Sequence, residues 1–294
     1  MFSNAVLVIG ESGSGKSTSL RNLDPSTTFI INVLNKPLPF KGFSKGFKRM
    51  SADGKEGNYY SSDDAGKILR VVKMIDKNRP DISTIIIDDF QYVMGNEFVK
   101  RATEKGFNKF SEIQLHAWEV LESLTTLRDG LNAFVLSHSE ITTEGKTKMK
   151  TIGKMLDDKI TLEGMFTTVL HSVVIDGQYK FVTNTDGVHL AKSPMGMFPL
   201  LIPNDLNEVI KIIHQYSDDE DATLYRSSNR LTPETRESLL LLIEDIDIED
   251  KDYINTIVKK GGFACFSDIT EEFAKKWIAG ILAKKEKEND QRND

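Results

Sequence analysis

Residues 10–17 read Gly10-Glu11-Ser12-Gly13-Ser14-Gly15-Lys16-Ser17, directly after the apolar run Ala5-Val6-Leu7-Val8-Ile9. All four fixed positions of G-x-x-x-x-G-K-[ST] are filled, and the context is the one the motif requires: a buried strand before it and a helix after it. The residue types follow from the chemistry. Glycine lets the backbone wrap an anion with its N–H groups turned inward, and a helix start presents its positive end to the same charge. Lys16 is expected to reach the β- and γ-phosphates of ATP, and Ser17 to ligate Mg²⁺. Gly10, Glu11, Ser12, Gly13, Ser14 and Gly15 form the cradle, and Thr18 is one position further, within reach of the α-phosphate.

Around this loop, apolar strand-like runs alternate with helix-like segments. Thr28 to Val33, Ser83 to Ile87 and Ala133 to Leu136 repeat the β-branched character of the first run. Helices are predicted over Gly15 to Leu23, Asp63 to Lys77 and Phe110 to Arg128. In the last of these, Ile113, Leu115, Trp118, Leu121, Leu124 and Leu127 recur roughly at helical spacing. Alternation of this kind predicts an α/β fold with a central, mainly parallel sheet. After Met165 the pattern changes. Thr167 to Ile175 and Tyr179 to Thr183 read as a hairpin closed by Asp176-Gly177, Asn184 to Gly187 as a turn, and Leu206 to Tyr216 as a helix.

A phosphate loop needs a carboxylate on a nearby strand to hold its cation. Thr84-Ile85-Ile86-Ile87-Asp88-Asp89 supplies one, at the carboxyl end where open α/β sheets bind ligands. Asp88 is the predicted Mg²⁺ residue. Asp89 either orients the attacking water or only supports Asp88. The next strand ends in Ser137-His138-Ser139-Glu140. Ser137 or His138 would sense the γ-phosphate there, against the alternative that the cluster is ordinary loop chemistry.

Taken with Asn32 to Phe40, Gly153-Lys154-Met155-Leu156 and Lys192 to Phe198, these motifs resemble phage-encoded RecA-like P-loop ATPases. The resemblance is greatest to the Sak-type proteins of single-strand annealing and recombination, and it covers about residues 4–205. It implies a RecA-like core, ATP hydrolysis, and action on single-stranded DNA as a ring or short filament. One departure stands out. Such proteins carry a catalytic glutamate just past the second strand, and Asn32-Val33-Leu34-Asn35-Lys36 contains no acid. Either Asp89 or Glu140 takes the role, or turnover is slow and the protein is an ATP switch that loads DNA-processing partners. A nucleotide or small-molecule kinase is a weaker rival, because no arginine occurs between Glu140 and Tyr225 to build a lid.

Charge divides the chain of 294 residues. The net charge of −6 argues against nucleic acid, but residues 217–294 hold 19 acidic and 12 basic side chains, a net of −7. The remainder, with 25 acidic and 26 basic, has a net of +1. The reading is therefore a core over 1–216, an acidic linker over 217–231 and a helical segment over 232–294. Within that segment helices are expected up to Leu242, over 252–260 and over 270–284, with the charged end from Lys284 fraying. Its apolar positions make its own core, and it docks a protein partner, binds the ATPase core or mimics DNA.

Two stretches of the core are basic. Lys41, Lys45, Lys48 and Arg49 are interleaved with Phe40, Phe43 and Phe47, a pattern that suits single strands. Lys146, Lys148, Lys150 and Lys154 follow the fourth strand and would touch DNA or a neighbour's γ-phosphate. Either stretch is otherwise a solvated loop. The single cysteine, Cys265, excludes an internal disulfide and suits a reducing compartment. With no basic leader and no apolar run long enough to span a bilayer, the expected location is the cytoplasm, that of the host for a phage protein.

Overall fold

The computed structural model describes residues 4–142, 145, 147–152 and 161–218, and towards the C-terminus 235, 238–239, 242, 258–260, 269 and 271–290. By internal contacts the chain divides into two units: Met1–Phe198 with Ile202–Ser217, and Pro199–Leu201 with Asp218–Asp294.

The first unit is mixed α/β and is built on a largely parallel nine-stranded sheet. The strands are β1 (Asn4–Gly10), β2 (Thr28–Asn32), β3 (Tyr59–Ser61), β4 (Thr84–Asp88), β5 (Asn132–Ile141), β6 (Thr147–Met149), β7 (Thr168–Ile175), β8 (Gln178–Val182) and β9 (Leu201–Pro203). Their order is β3-β2-β4-β5-β1-β7-β8-β9, with β6 paired to β5. β1, β2, β4 and β5 pair in parallel with all their neighbours on that path. β6 and β8 add antiparallel ribbons to β5 and β7.

The β-branched runs are continuous because both faces are covered. Leu7, Ile9, Ile85, Ile87, Ala133 and Val135 face one core, shared with helices Ala65–Asn78 and Asn108–Leu124. Their alternates Val6, Val8, Ile86, Phe134 and Leu136 face a second, shared with helix Leu206–Asp218. The strand order has a functional consequence. β5 lies between β1 and β4, so the carboxyl ends of these three strands bring Gly10, Ser137-His138 and Asp88 side by side.

Several elements differ from the sequence expectation. The segment after the phosphate loop is a short 3-10 helix, Ser17–Asn22, and not a full α-helix to Leu23. β3 and helices Phe43–Gly46 and Gln91–Lys100 have too weak a period to be read in advance. β5 runs to Ile141 because β6 pairs with its tip. Leu115 is exposed, and the inward position is taken by Gln114, which donates to the Ile152 carbonyl at 2.7 Å. Asp176 and Gly177 both have positive φ, as the two-residue hairpin turn requires.

In the second unit Leu239, Val258, Ile269, Ala274, Trp277 and Ile281 form a small core with Phe273 and Ile278. Helix Glu271–Asp290 continues past Lys284, where fraying was expected; the added residues are mostly strong helix formers. Cys265 and most of the stretch read as linker lie outside the described residues.

Arg128 fixes the approach to β4. Its guanidinium donates to the carbonyls of Ile75 at 3.0 Å, Asp76 at 2.8 Å and Arg79 at 2.9 Å, and also to Ile82. Three of these lie at the end of helix Ala65–Asn78, where the Ile75 and Arg79 carbonyls also accept backbone N–H groups, of Arg79 at 3.0 Å and Ile82 at 3.1 Å. Arg128→Ala should destabilise the unit by about 1–3 kcal/mol, read as a lowered denaturant midpoint with unchanged slope.

Candidate functional site

The phosphate loop is held in shape by close approach. A Cβ on Gly10 would lie 2.6 Å from the Ser172 carbonyl oxygen, so β7 and the loop can pack only around glycine. Gly15 has φ +98°, and a Cβ there would lie 2.6 Å from the Tyr179 ring. Ser172 Oγ donates to the Ser14 carbonyl at 2.7 Å and accepts from Asn204 Nδ2 at 3.0 Å, which braces the loop from behind. Glu11, Ser12 and Gly13 are exposed at the tip, while Ser14, Gly15 and Lys16 are buried.

Lys16 Nζ donates to the carbonyls of Gly10 at 2.9 Å and Glu11 at 2.8 Å. Burial pushes its pKa down to about 8, partly offset by Asp89 and Asp88. Ser17 Oγ donates to both oxygens of Asp88, at 2.9 and 3.1 Å. Asp88 closes β4, is wholly buried, and is pushed up to about 6 by burial and then by the neighbouring Asp89 charge.

Asp89 adopts the left-handed conformation with φ +62°, which turns the chain out of the strand. Its carboxylate is shared: Oδ2 accepts from Lys36 Nζ, and His138 Nε2 lies 3.6 Å from Oδ1. Burial would raise its pKa, but His138 and Lys36 outweigh that and hold it below the ordinary value. His138 is fixed in turn, its backbone N–H donating to Gln91 Oε1 at 3.1 Å, the same oxygen that Ser137 Oγ reaches at 3.4 Å. Lys16, Ser17, Asp88, Asp89 and His138 thus form one cluster, with Ser137 buried beside it. Thr18, half-buried, follows on the 3-10 helix.

Lys36 is the member the sequence did not single out for this cluster. The available signal was a lone cation just past the second strand, in the slot where an acid was expected. Glu140 stands apart: its carboxylate pairs with Lys148 at 3.2 Å, across the β5–β6 register. Lys150 is exposed, bonds its backbone N–H to the His138 carbonyl at 2.8 Å, and lines a cavity of 250 Å³ with His138 and Tyr92. Lys146 and Lys154 lie outside the described residues.

Lys41, Lys45, Lys48 and Arg49 are exposed. The interleaved phenylalanines pack largely on one another, with ring centroids 5.7–6.4 Å apart, and Phe43 meets Tyr59 edge-on at 5.5 Å. Phe47 is buried in the second core, with Phe40 and Phe43 packed against it, and all three line a cavity of 480 Å³ together with Lys36 and Arg49.

A family model described as an AAA domain matches residues 3–195, a span that contains every member of the cluster. No curated protein matches the chain.

The raised pKa of Asp88 gives a signed pH effect. A carboxyl whose folded pKa lies above its unfolded value adds stability below that unfolded value, near 4. The contribution disappears as pH rises through about 6. Asp88→Asn keeps an acceptor for Ser17 but cannot ionise. Without nucleotide or divalent cation, its stability relative to wild type should rise between about pH 4 and pH 7, by roughly 1–3 kcal/mol. Denaturant midpoints at the two pH values measure this, and a difference independent of pH would contradict it.

Proposed function

Because the chain belongs to the AAA-domain family of P-loop ATPases, we propose that it is a Mg²⁺-dependent ATPase acting on single-stranded DNA in phage recombination or replication. It would work as a homo-oligomeric ring or short filament. The observation that carries the nucleotide part is the Ser17–Asp88 pair beside Lys16, at the carboxyl edge of the central parallel strands.

A hydroxyl and a carboxylate are hard oxygen donors, and they suit Mg²⁺. Among the described residues no group of three or more His, Cys, Asp or Glu is arranged to cage a metal. That fits an ion taking the rest of its shell from phosphate and water. Ser17 and Asp88 would hold the ion, which when bound would supply positive charge against the charge of the phosphates.

Lys16 exchanges the Gly10 and Glu11 carbonyls for phosphate oxygens, and the backbone N–H groups from Gly13 to Thr18 surround the β-phosphate. In hydrolysis a water oxygen bonds to the γ-phosphorus, the bond to the bridging oxygen breaks with its electron pair left on ADP, and the water's proton passes to the phosphate product and on to solvent. Asp89 is the group to orient that water, with His138 beside it to register the γ-phosphate. Asp89 must first release Lys36, because both are engaged with each other. Exposed Lys41, Lys45, Lys48 and Arg49 supply phosphate contacts for a strand, around the half-buried Phe40 and Phe43.

The grip of Lys36 on Asp89 also favours a second reading, a slow ATP switch that loads DNA-processing partners. Turnover separates the two. Lys16→Ala should lower ATP turnover by about 10²-fold or more while leaving the fold intact, since it removes a cation aimed at the phosphates. Single-stranded DNA should stimulate the wild-type rate, and its binding should weaken steeply with salt. A rate indifferent to DNA at every salt concentration would favour the switch and remove the stimulated ATPase.

A further inference from the structure

A cavity of 250 Å³ opens beside His138, between the start of helix Gln91–Lys100 and the residues that follow β6. Lys16, Ser17, Asp88 and Asp89 do not line it. His138 borders both places: it lines the cavity, and its Nε2 lies 3.6 Å from Asp89 Oδ1. The cavity is therefore one side chain away from the proposed reaction centre without being part of the phosphate loop.

Its lining selects a small anion. Among the described residues no Asp or Glu lines it, and Lys150 brings a positive charge. Lys150 is exposed and makes no ion pair among the described residues, while its backbone N–H is tied to the His138 carbonyl at 2.8 Å. Gln91 is only 8% exposed. Its Oε1 takes the His138 N–H at 3.1 Å and the Ser137 hydroxyl at 3.4 Å. The acceptor end of that amide is thus used, and its Nε2 donor has no partner among the described residues. Thr151 adds a hydroxyl to the wall. An ammonium, an amide N–H and a hydroxyl can all donate, and a ligand with several acceptor oxygens answers them.

Size narrows the class further. The volume falls below the roughly 300 Å³ at which pockets for larger ligands begin. A water takes about 30 Å³, so one tetrahedral ion with a few waters fits where a nucleotide does not.

Gly95 points the same way independently. It sits inside helix Gln91–Lys100, where glycine is less stable than alanine. Its φ is not positive, and a Cβ there would meet only the Tyr92 ring, at 3.9 Å. Neither backbone conformation nor packing requires glycine. What a side chain would take is space in the cavity that Gly95 lines.

We propose that this cavity is a site for inorganic phosphate, and that it holds the ion released by ATP hydrolysis as it leaves the reaction centre. As a product site it rests on the ATPase reading above, whereas binding of the ion itself does not.

The test titrates inorganic phosphate into the full chain without nucleotide, in a Lys16→Ala background that disables the loop as a competing phosphate site. Phosphate should still bind saturably. Lys150→Met removes the charge from an exposed position, and Gly95→Leu fills the cavity with a good helix former. Each, added to that background, should weaken phosphate binding by about tenfold. If Gly95→Leu fails to fold, Lys150→Met decides alone. No saturable binding in the background, or an affinity that the folded variants leave unchanged, would overturn the proposal. An oligonucleotide titrated into the same proteins separates the sources of phosphate. Loss of strand affinity with phosphate affinity unchanged would give the cavity to a phosphodiester and overturn the product site. With Lys16 in place, Lys150→Met and Gly95→Leu should bind ADP as wild type does, and a parallel loss of ADP affinity would move the effect to the loop and contradict the assignment. Wild type that binds no ADP would remove the ATPase reading and leave the phosphate titration to judge the cavity.

Discussion

Ser17 donates one hydroxyl proton to the carboxylate of Asp88, at 2.9 Å from its nearer oxygen, and the rest of the site is arranged around that bond. It joins the segment after β1 to the end of β4, two strands that are not neighbours. Only a sheet that inserts β5 between them, and presents all three carboxyl ends on one edge, allows the contact. The cost is a buried acid held far above its ordinary pKa. A carboxylate in that setting is under-neutralised by the protein, and on the proposed reading a divalent cation would supply positive charge there. On the same reading the Lys16 ammonium, which rests on two loop carbonyls, would exchange them for phosphate oxygens.

The second acid is in the opposite condition. Asp89 lies one residue on, yet Lys36 and His138 hold it ionised. One carboxyl lacks positive charge and its neighbour has it in excess. In the proposed reaction the two therefore divide the work, with Asp88 on the cation and Asp89 on the water. Lys36, engaged with Asp89, would have to let go before the second task begins.

Much of this was legible in the sequence. The glycine spacing of residues 10–17 fixed the loop, and the β-branched runs fixed the buried parallel strands, because both are local patterns with few physical alternatives. Asp88 was legible for the same reason, as an acid closing an apolar strand. Lys36, β3 and helix Gln91–Lys100 were not. Lys36 reaches Asp89 across 53 positions of sequence, and a lone lysine after a strand carries no periodicity. Glu140 was the alternative to Asp89 in sequence, and the β5–β6 register commits it to Lys148. The phenylalanines at 40, 43 and 47 show a related limit: their spacing suited stacking on bases, and in the fold they pack mainly on each other, Phe43 on Phe47 stacked and the other two pairs edge-on.

The most direct measurement is the affinity of ATP with and without Mg²⁺, for wild type and for Ser17→Ala. If the hydroxyl and Asp88 hold the cation that bridges the phosphates, Mg²⁺ should strengthen ATP binding to wild type markedly. Ser17→Ala should lose most of that gain while retaining Mg²⁺-free affinity. Equal dependence on Mg²⁺ in both proteins, or none in either, would contradict the assignment on which the whole account of the site depends.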